Sequence, residues 1–136
     1  IKALVGLIYA QERSFYWRLT GRQNMEFFAA LYGLNSGQTA DQLDRLFRLF
    51  EVDYADRRFD SYSAGMKQKF GLMRALIHDP DLLILDEPVA SLDPVARRQF
   101  LEQIIDVATD GARSVVFSSH IVSDERLGEP RPQFFP

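Results

Sequence analysis

Apolar residues follow two patterns along the chain, and each pattern predicts a different kind of element. Short continuous apolar runs at 4–10, 82–85 and 114–117 predict buried strands. Apolar residues at helical spacing predict helices over 24–34, 39–50 and 63–79, and a further helix between Asp93 and Gly111. The strand–helix–strand order after residue 80 predicts parallel strands in an α/β fold, with the helical middle section inserted ahead of them.

The same periodicity predicts which side chains face the core of each helix. A single stripe at i, i+4, i+7 and i+11 marks the helix that begins near Ser63. A second stripe marks the helix that begins at Asp93, where the aspartate suits the N-cap and Pro94 suits the first turn. The predicted core-facing positions are Met66, Phe70, Met73 and Ile77 in the former, and Leu101, Ile104, Ile105 and Ala108 in the latter.

Two acids, Asp86 and Glu87, follow the strand at 82–85, which has no polar member. A strand that is apolar on both sides is typical of the centre of a sheet, and ligands of α/β sheets bind at the carboxyl ends of the strands. Adjacent side chains at a strand end point in different directions. Asp86 can then face a hydrated magnesium ion while Glu87 faces a reacting water. The alternative is a strand followed by an acidic turn.

A small-residue turn at Ser63 opens the third predicted helix. Ser63 can cap the helix, and Gly65 leaves the backbone open to close approach. Free N–H groups and the positive end of the helix dipole together predict an anion site. The alternative is an ordinary capped helix whose basic residues are solvated.

Together these two features resemble the ATP-binding-cassette (ABC) family. Residues 63–68, Ser-Ala-Gly-Met-Lys-Gln, resemble its signature motif, and residues 82–88 resemble its Walker B strand with the catalytic acid. The other motifs follow in the family's order: Gln11 fits the Q-loop, residues 90–94 fit the D-loop, and residues 118–120 fit the switch histidine. The signature departs from its commonest form at Ala64 and Met66, a variant similar to those of bacterial exporter cassettes for drugs, lipids or polysaccharides.

The resemblance implies an α/β fold, a partial P-loop NTPase (RecA-like) core with an inserted helical subdomain. Residues 1–15 would form a core strand and the Q-loop. Residues 16–79 would form the helical subdomain that ends in the signature helix. Residues 80–124 would form the catalytic core with Walker B, D-loop and switch histidine. Residues 125–136, with three prolines near the end, would be an irregular tail.

The resemblance also implies ATP and Mg²⁺ as cofactors. Asp86 and Gln11 would contact the metal, Glu87 would act as general base, and His120 would bind the γ-phosphate or the water. Two cassettes would sandwich two ATP molecules head to tail, with Asp93 coupling the two sites. The residues that would contact the ATP bound by the opposite subunit are Ser63, Ala64, Gly65 and Met66.

The implied partners are a second cassette and a transmembrane permease, at the cytoplasmic face of a membrane. Residues 15–22 are the candidates for contacting the permease. The implied function is ATP hydrolysis that powers export. Two alternatives stay open: a non-catalytic module that completes a partner's nucleotide site, and a soluble ATPase of this family acting on DNA or ribosomes.

Composition narrows these possibilities. The net charge of −3 and the absence of a lysine/arginine block disfavour a nucleic-acid surface, and zero cysteines exclude disulfides and thiolate metal sites. No string of the form G-x-x-x-x-G-K-[ST] occurs, so the Walker A loop of the family is missing from the 136 residues. The sequence therefore predicts an internal piece of a cassette, which alone binds ATP weakly, hydrolyses it negligibly and tends to self-associate.

Overall fold

The computed structural model describes residues 5–8, 14–86, 92–111 and 113–118. In this part of the chain a three-stranded parallel sheet is combined with α-helices and one 3₁₀ turn. The elements in chain order are β1 (Val5–Ile8), α1 (Gly21–Leu31), α2 (Ser36–Leu49), the 3₁₀ turn (Phe59–Ser61), α3 (Ala64–Leu76), β2 (Leu82–Asp86), α4 (Pro94–Asp110) and β3 (Ser114–Ser118). The α/β fold class predicted from the sequence is confirmed.

The sheet has the strand order β1-β2-β3, so β2 is its central strand. Val5 pairs with Leu82 on one side, and Leu82 pairs with Ser114 on the other. Leu83 and Leu85 of β2 are fully buried in a core that they share with residues of α3 and α4. The prediction that the strand bearing the acids lies in the middle of the sheet is therefore correct.

β1 and α3 approach each other very closely at Gly6. A Cβ atom at this position would lie 2.3 Å from the backbone oxygen of Ala75. No side chain fits such a gap, so glycine is required for the packing of the helix on the edge strand. The opposite face of the sheet is more open, because Leu7 is 42% exposed and Val116 is 40% exposed.

The helices begin where a side chain caps them, which explains two boundary errors. α1 begins at Gly21, three residues before the predicted start, because Thr20 and Gln23 form a capping box. α2 begins at Ser36 rather than 39, because Asn35 and Gln38 form another. α4 begins as predicted, with the Asp93 side chain accepting a hydrogen bond from the amide of Ala96 at 2.9 Å.

The predicted core face of α4 is partly wrong. Ile104 is buried as predicted, but Ile105 is 64% exposed. Phe100 and Val107 are buried in its place. Phe100, Ile104 and Val107 follow the spacing i, i+4, i+7, which places Ile105 off the stripe. The core stripe of α3 is confirmed at Phe70 and Met73, whereas Met66 at the first turn is only half-buried. Ile77 is buried as predicted but lies directly after the helix, which ends at Leu76 and not at 79.

An aromatic cluster centred on Phe70 joins α3 to the segment that precedes it. Phe70 is fully buried. Its ring centroid lies 5.1 Å from that of Tyr62, 5.9 Å from Phe59, 6.1 Å from Tyr54 and 6.2 Å from Phe47. Burial raises the pKa of Tyr62 and of Tyr54 to about 12, so both hydroxyls stay protonated at neutral pH. The cluster fixes the start of α3 against the rest of the helical section.

A buried arginine connects the ends of several elements. Arg113, just before β3, donates to the Asp79 carboxylate at 2.9 Å and to the backbone oxygen of Pro80 at 3.3 Å. Arg45 of α2 lies 3.5 Å from the same carboxylate. Asp79 has φ of 50°, a left-handed conformation that aspartate tolerates better than most residues. These contacts hold α2, the end of α3 and the start of β2 in a fixed relation.

His78, which the sequence indicates only as a residue at the helix end, links α3 to two other elements. Its ring stacks on Tyr32 with centroids 4.0 Å apart, and its Nε2 lies 3.0 Å from the backbone oxygen of Val5 in β1. Burial lowers the pKa of His78 below 6.5, an effect that the Val5 carbonyl and the Asp79 charge oppose and the Arg113 charge reinforces. The folded protein therefore favours the neutral imidazole.

The His78 environment predicts a loss of stability on acidification. Below about pH 6.5 the unfolded chain binds a proton at this position before the folded chain does, so the free energy of unfolding falls as the pH falls. Urea denaturation between about pH 7.5 and 5.5 measures this slope. His78→Gln should flatten it, while its lost stacking should cost the same at every pH. Equal slopes in the two proteins would contradict the assignment.

Candidate functional site

The described residues include six of the nine predicted site residues. Ser63, Ala64, Gly65 and Met66 form the start of α3, Asp86 ends β2, and Asp93 caps α4. Gln11, Glu87 and His120 lie outside the described residues, so their roles stay predictions. Of the predicted domain boundaries, those after residues 15 and 79 fall within the described chain and that after residue 124 does not. All three also remain predictions.

The turn Ser63–Met66, which we call the signature turn, is open on its outer side. The Ser63 Oγ accepts from the Met66 amide at 3.2 Å, and the Met66 sulfur accepts from the Ser63 amide at 3.5 Å. The amides of Ala64 and Gly65 belong to the first turn, where an α-helix supplies no internal partner. A Cβ atom on Gly65 would meet nothing within 4 Å. The turn therefore presents backbone donors and the positive helix end to an approaching anion.

A cleft of about 330 Å³ separates the signature turn from the start of α4. Asp93 lies across the cleft from the turn. One oxygen of its carboxylate accepts from the amide of Ala96, so the side chain is held in a defined position. The other residues that line the cleft are Lys69, Leu92, Ala96, Gln99, Phe100 and Gln103. The structure thus brings two of the predicted motifs, the signature and the end of the D-loop, to one surface.

Asp86 lies elsewhere, exposed at the carboxyl end of the central strand, and does not line this cleft. Its Oδ1 accepts a hydrogen bond from the Ser118 hydroxyl at 2.7 Å. Ser118 ends β3 directly beside Asp86 in the sheet register. Ser118 was not predicted as a site residue, although it begins the segment 118–120 that resembles the switch histidine. The contact places Ser118, the first residue of that segment, next to the acidic strand end.

The donor set around Asp86 suits a magnesium ion only in part. A carboxylate oxygen at a strand end is a ligand that Mg²⁺ takes together with waters and substrate phosphates. Within the described ranges no group of three or more histidine, cysteine or acidic residues could hold a metal by itself. The exposed Asp86 carboxylate therefore fits a magnesium ion whose further ligands include waters and phosphate oxygens.

Three exposed aromatic residues, Tyr16, Trp17 and Phe27, form a surface that we call the exposed aromatic surface. Tyr16 is 50% exposed and Trp17 is 52% exposed, although both follow the buried Phe15. Tyr16 packs edge-on against Phe27 of α1, which is itself 38% exposed. Exposed aromatic groups of this kind are typical of protein interaction surfaces. The predicted permease contact at 15–22 includes two residues of this surface, Tyr16 and Trp17.

A parallel sheet whose central strand ends in an acid, combined with an open helix N-terminus, is typical of α/β domains that bind phosphate-bearing ligands. A family model described as "AAA domain, putative AbiEii toxin, Type IV TA system" matches residues 12–123. The chain is 36% identical over 125 residues to the ABC transporter ATP-binding protein NatA of Bacillus subtilis, covering 91% of this chain and 50% of NatA.

A second relative and a solved structure are also similar to this chain. The chain is 40% identical over 105 residues to a fluoroquinolones export ATP-binding protein of Mycobacterium tuberculosis, covering 77% of this chain and 34% of that protein. The structure of cbiO1 from Clostridium perfringens, described as part of the ABC transporter complex cbiONQ, shares the fold. It superimposes with a TM-score of 0.79 at 19% identity, covering 88% of this chain and 48% of that one.

The chain belongs to the ABC family of ATP-binding proteins, as the motif order predicted. It spans about half the length, or less, of these relatives. Among the helices that the structure describes, none has the length and apolar character needed to cross a membrane.

Proposed function

We propose that this chain forms part of an ATP-hydrolysing subunit that powers export through a membrane permease. The observation that carries the proposal is the signature turn, which is open toward the cleft and faces Asp93 across it. ABC relatives with transport names, one of them an export protein, support the role of an ATP-binding subunit. The negative net charge of −3 favours this reading over an ATPase that acts on DNA.

In this proposal the two halves of the site serve two different nucleotides. The signature turn would bind the γ-phosphate of an ATP held by a second subunit, because it lies apart from Asp86 and opens outward. Asp86 would hold Mg²⁺ that accompanies a nucleotide bound on its own side of the sheet. Glu87 would polarise the attacking water, while Gln11 and His120 would contact the metal and the γ-phosphate respectively.

The exposed aromatic surface would contact the permease. Tyr16, Trp17 and Phe27 offer apolar area beside polar groups, which suits docking of a short helix. This contact would keep the subunit at the cytoplasmic face of the membrane. Hydrolysis is then coupled to transport because the contact segment follows the Q-loop directly in sequence and packs against α3.

Two glycines give a matched test of the proposed nucleotide contact. Gly65 and Gly37 each occupy the second position of a helix that begins with a capping box. Neither position leaves a new Cβ closer than ordinary contact, so alanine should be tolerated by the fold at both. Only at Gly65 would the added methyl group meet a phosphate.

The assay is the ATP-dependent association of this chain with a full-length cassette of the NatA type whose catalytic acid has been removed, so that Mg-ATP stays bound. Sedimentation should show association of the wild-type chain and of Gly37→Ala. Gly65→Ala should weaken it about tenfold or more, as expected when a hydrogen bond to a charged group is lost. Association that does not depend on ATP, or equal behaviour of the two variants, would contradict the proposed contact.

A further inference from the structure

A cation–π contact joins the signature turn to the exposed aromatic surface. The Lys67 ammonium lies 4.2 Å from the centroid of the Trp17 ring. Lys67 directly follows the signature turn, and its own amide donates to the Ser63 backbone oxygen at 3.0 Å. The Lys67 side chain therefore starts directly after the turn that would bind phosphate and ends on the surface that would bind the permease.

The backbone around Trp17 is held in place from two sides. The Trp17 carbonyl accepts from the Asp60 amide at 3.0 Å, which attaches it to the 3₁₀ turn just before Ser63. On the other side, the fully buried Asn24 of α1 accepts from the Tyr16 amide at 2.7 Å and donates to the Tyr16 carbonyl at 3.0 Å. Trp17 thus contacts the chain both before and after the signature turn.

The Lys67 charge lies at an unfavourable place in the helix, and the Trp17 ring offers it a favourable contact. A cation in the first turn of a helix faces the positive end of the helix dipole, which is unfavourable. The face of an indole ring attracts an ammonium group, and indole is the strongest aromatic partner for one. The Trp17 ring therefore holds the Lys67 side chain to one side of the helix end.

We propose that Trp17 and Lys67 are positioning residues that hold the signature turn in its phosphate-binding conformation and link it to the permease-facing surface. The chemical role of the turn rests on the proposed function, whereas the link itself is a property of the free chain. A disturbance of Trp17, including one caused by a docked partner helix, would then change the order of the turn without a contact to the nucleotide.

Amide hydrogen exchange and Trp17 fluorescence test the link without any ligand. Trp17 is the only tryptophan in the sequence, so tryptophan emission reports the surroundings of this residue alone. Compared with the wild-type protein, Lys67→Met should change the emission spectrum. Lys67→Arg and Lys69→Met should each leave the spectrum like that of the wild type. Lys69 is the matched control because it lies in the same helix but donates to the Phe50 carbonyl.

For exchange, Trp17→Leu should accelerate the hydrogen-bonded amides of Met66 and Lys67 roughly two- to fivefold, the range expected for a cation–π contact at an exposed site. Tyr16→Leu is the control, because Tyr16 is equally exposed but packs on Phe27 instead of α3. Exchange in α2 should stay unchanged, which separates a local link from general destabilisation.

Equal exchange of the Met66 and Lys67 amides in the Trp17 and Tyr16 variants, or an emission spectrum that does not change in Lys67→Met, would overturn the proposal. Because neither measurement uses nucleotide, this failure would leave the Gly65 experiment unaffected. A failure of the Gly65 experiment would likewise leave the link standing.

Discussion

Replacing Phe70 with alanine is expected to lower the free energy of unfolding by about 3–5 kcal/mol. The side chain is fully buried and lies among four other aromatic rings, so its removal leaves a cavity that rigid neighbours fill poorly. A domain of this size has a total stability of only about 5–15 kcal/mol. Urea denaturation followed by circular dichroism measures the change.

Phe27→Ala is the matched control for this substitution. Phe27 also packs against other aromatic rings, but it is 38% exposed, so its loss should cost about 1 kcal/mol or less. Similar losses in the two variants would mean that the cluster around Phe70 does not stabilise the fold as described. Phe70→Ala should also destabilise the signature turn, because Phe70 and the turn belong to the same helix, α3.

If the proposed function is correct, replacing Glu87 with glutamine reduces the ATP turnover of the full-length protein roughly 100- to 10,000-fold. Glutamine keeps the size of the side chain but cannot accept a proton from the attacking water. The carboxylate of the neighbouring Asp86 would still be free to hold magnesium, so binding of Mg-ATP should persist. Phosphate release at saturating Mg-ATP measures the rate.

Glu102→Gln provides the control for that loss of charge. Glu102 is exposed on α4 and belongs to none of the motifs, so its rate should match the wild-type rate. If the Glu87→Gln variant releases phosphate at the wild-type rate, Glu87 takes no part in the reaction. A fall in nucleotide binding along with the rate would assign Glu87 a binding role.

Much of the fold could be predicted because the local patterns in this chain are strong. The apolar run of β2 and the stripe of α3 each agree with their place in the structure, and Asp93 followed by Pro94 marked the start of α4. The starts of α1 and α2 were missed although their signals, Thr20 with Gln23 and Asn35 with Gln38, stand in the sequence. Apolar spacing alone places both starts three residues too late, because the capping box sets where each helix begins.

Other features depend on contacts between distant residues and have no local signal. The hydrogen bond from Ser118 to Asp86 requires the register of β2 and β3 to be known. To predict the contact of Lys67 with Trp17, the path of the chain around α1 must be known. At the candidate site, sequence could therefore identify the signature turn and the acidic strand end, but not which surface each would face.

The long separation between the paired strands has a consequence for synthesis of the protein. Val5 of the edge strand pairs with Leu82, more than seventy residues later. A ribosome that adds about 5–20 residues per second leaves β1 without β2 as a partner for roughly 4–15 s. During this time α1 and α2 can already form from local contacts, but the pairing of β1 with β2 cannot. The helical section is therefore expected to gain structure during translation before the sheet that joins β1 to β2.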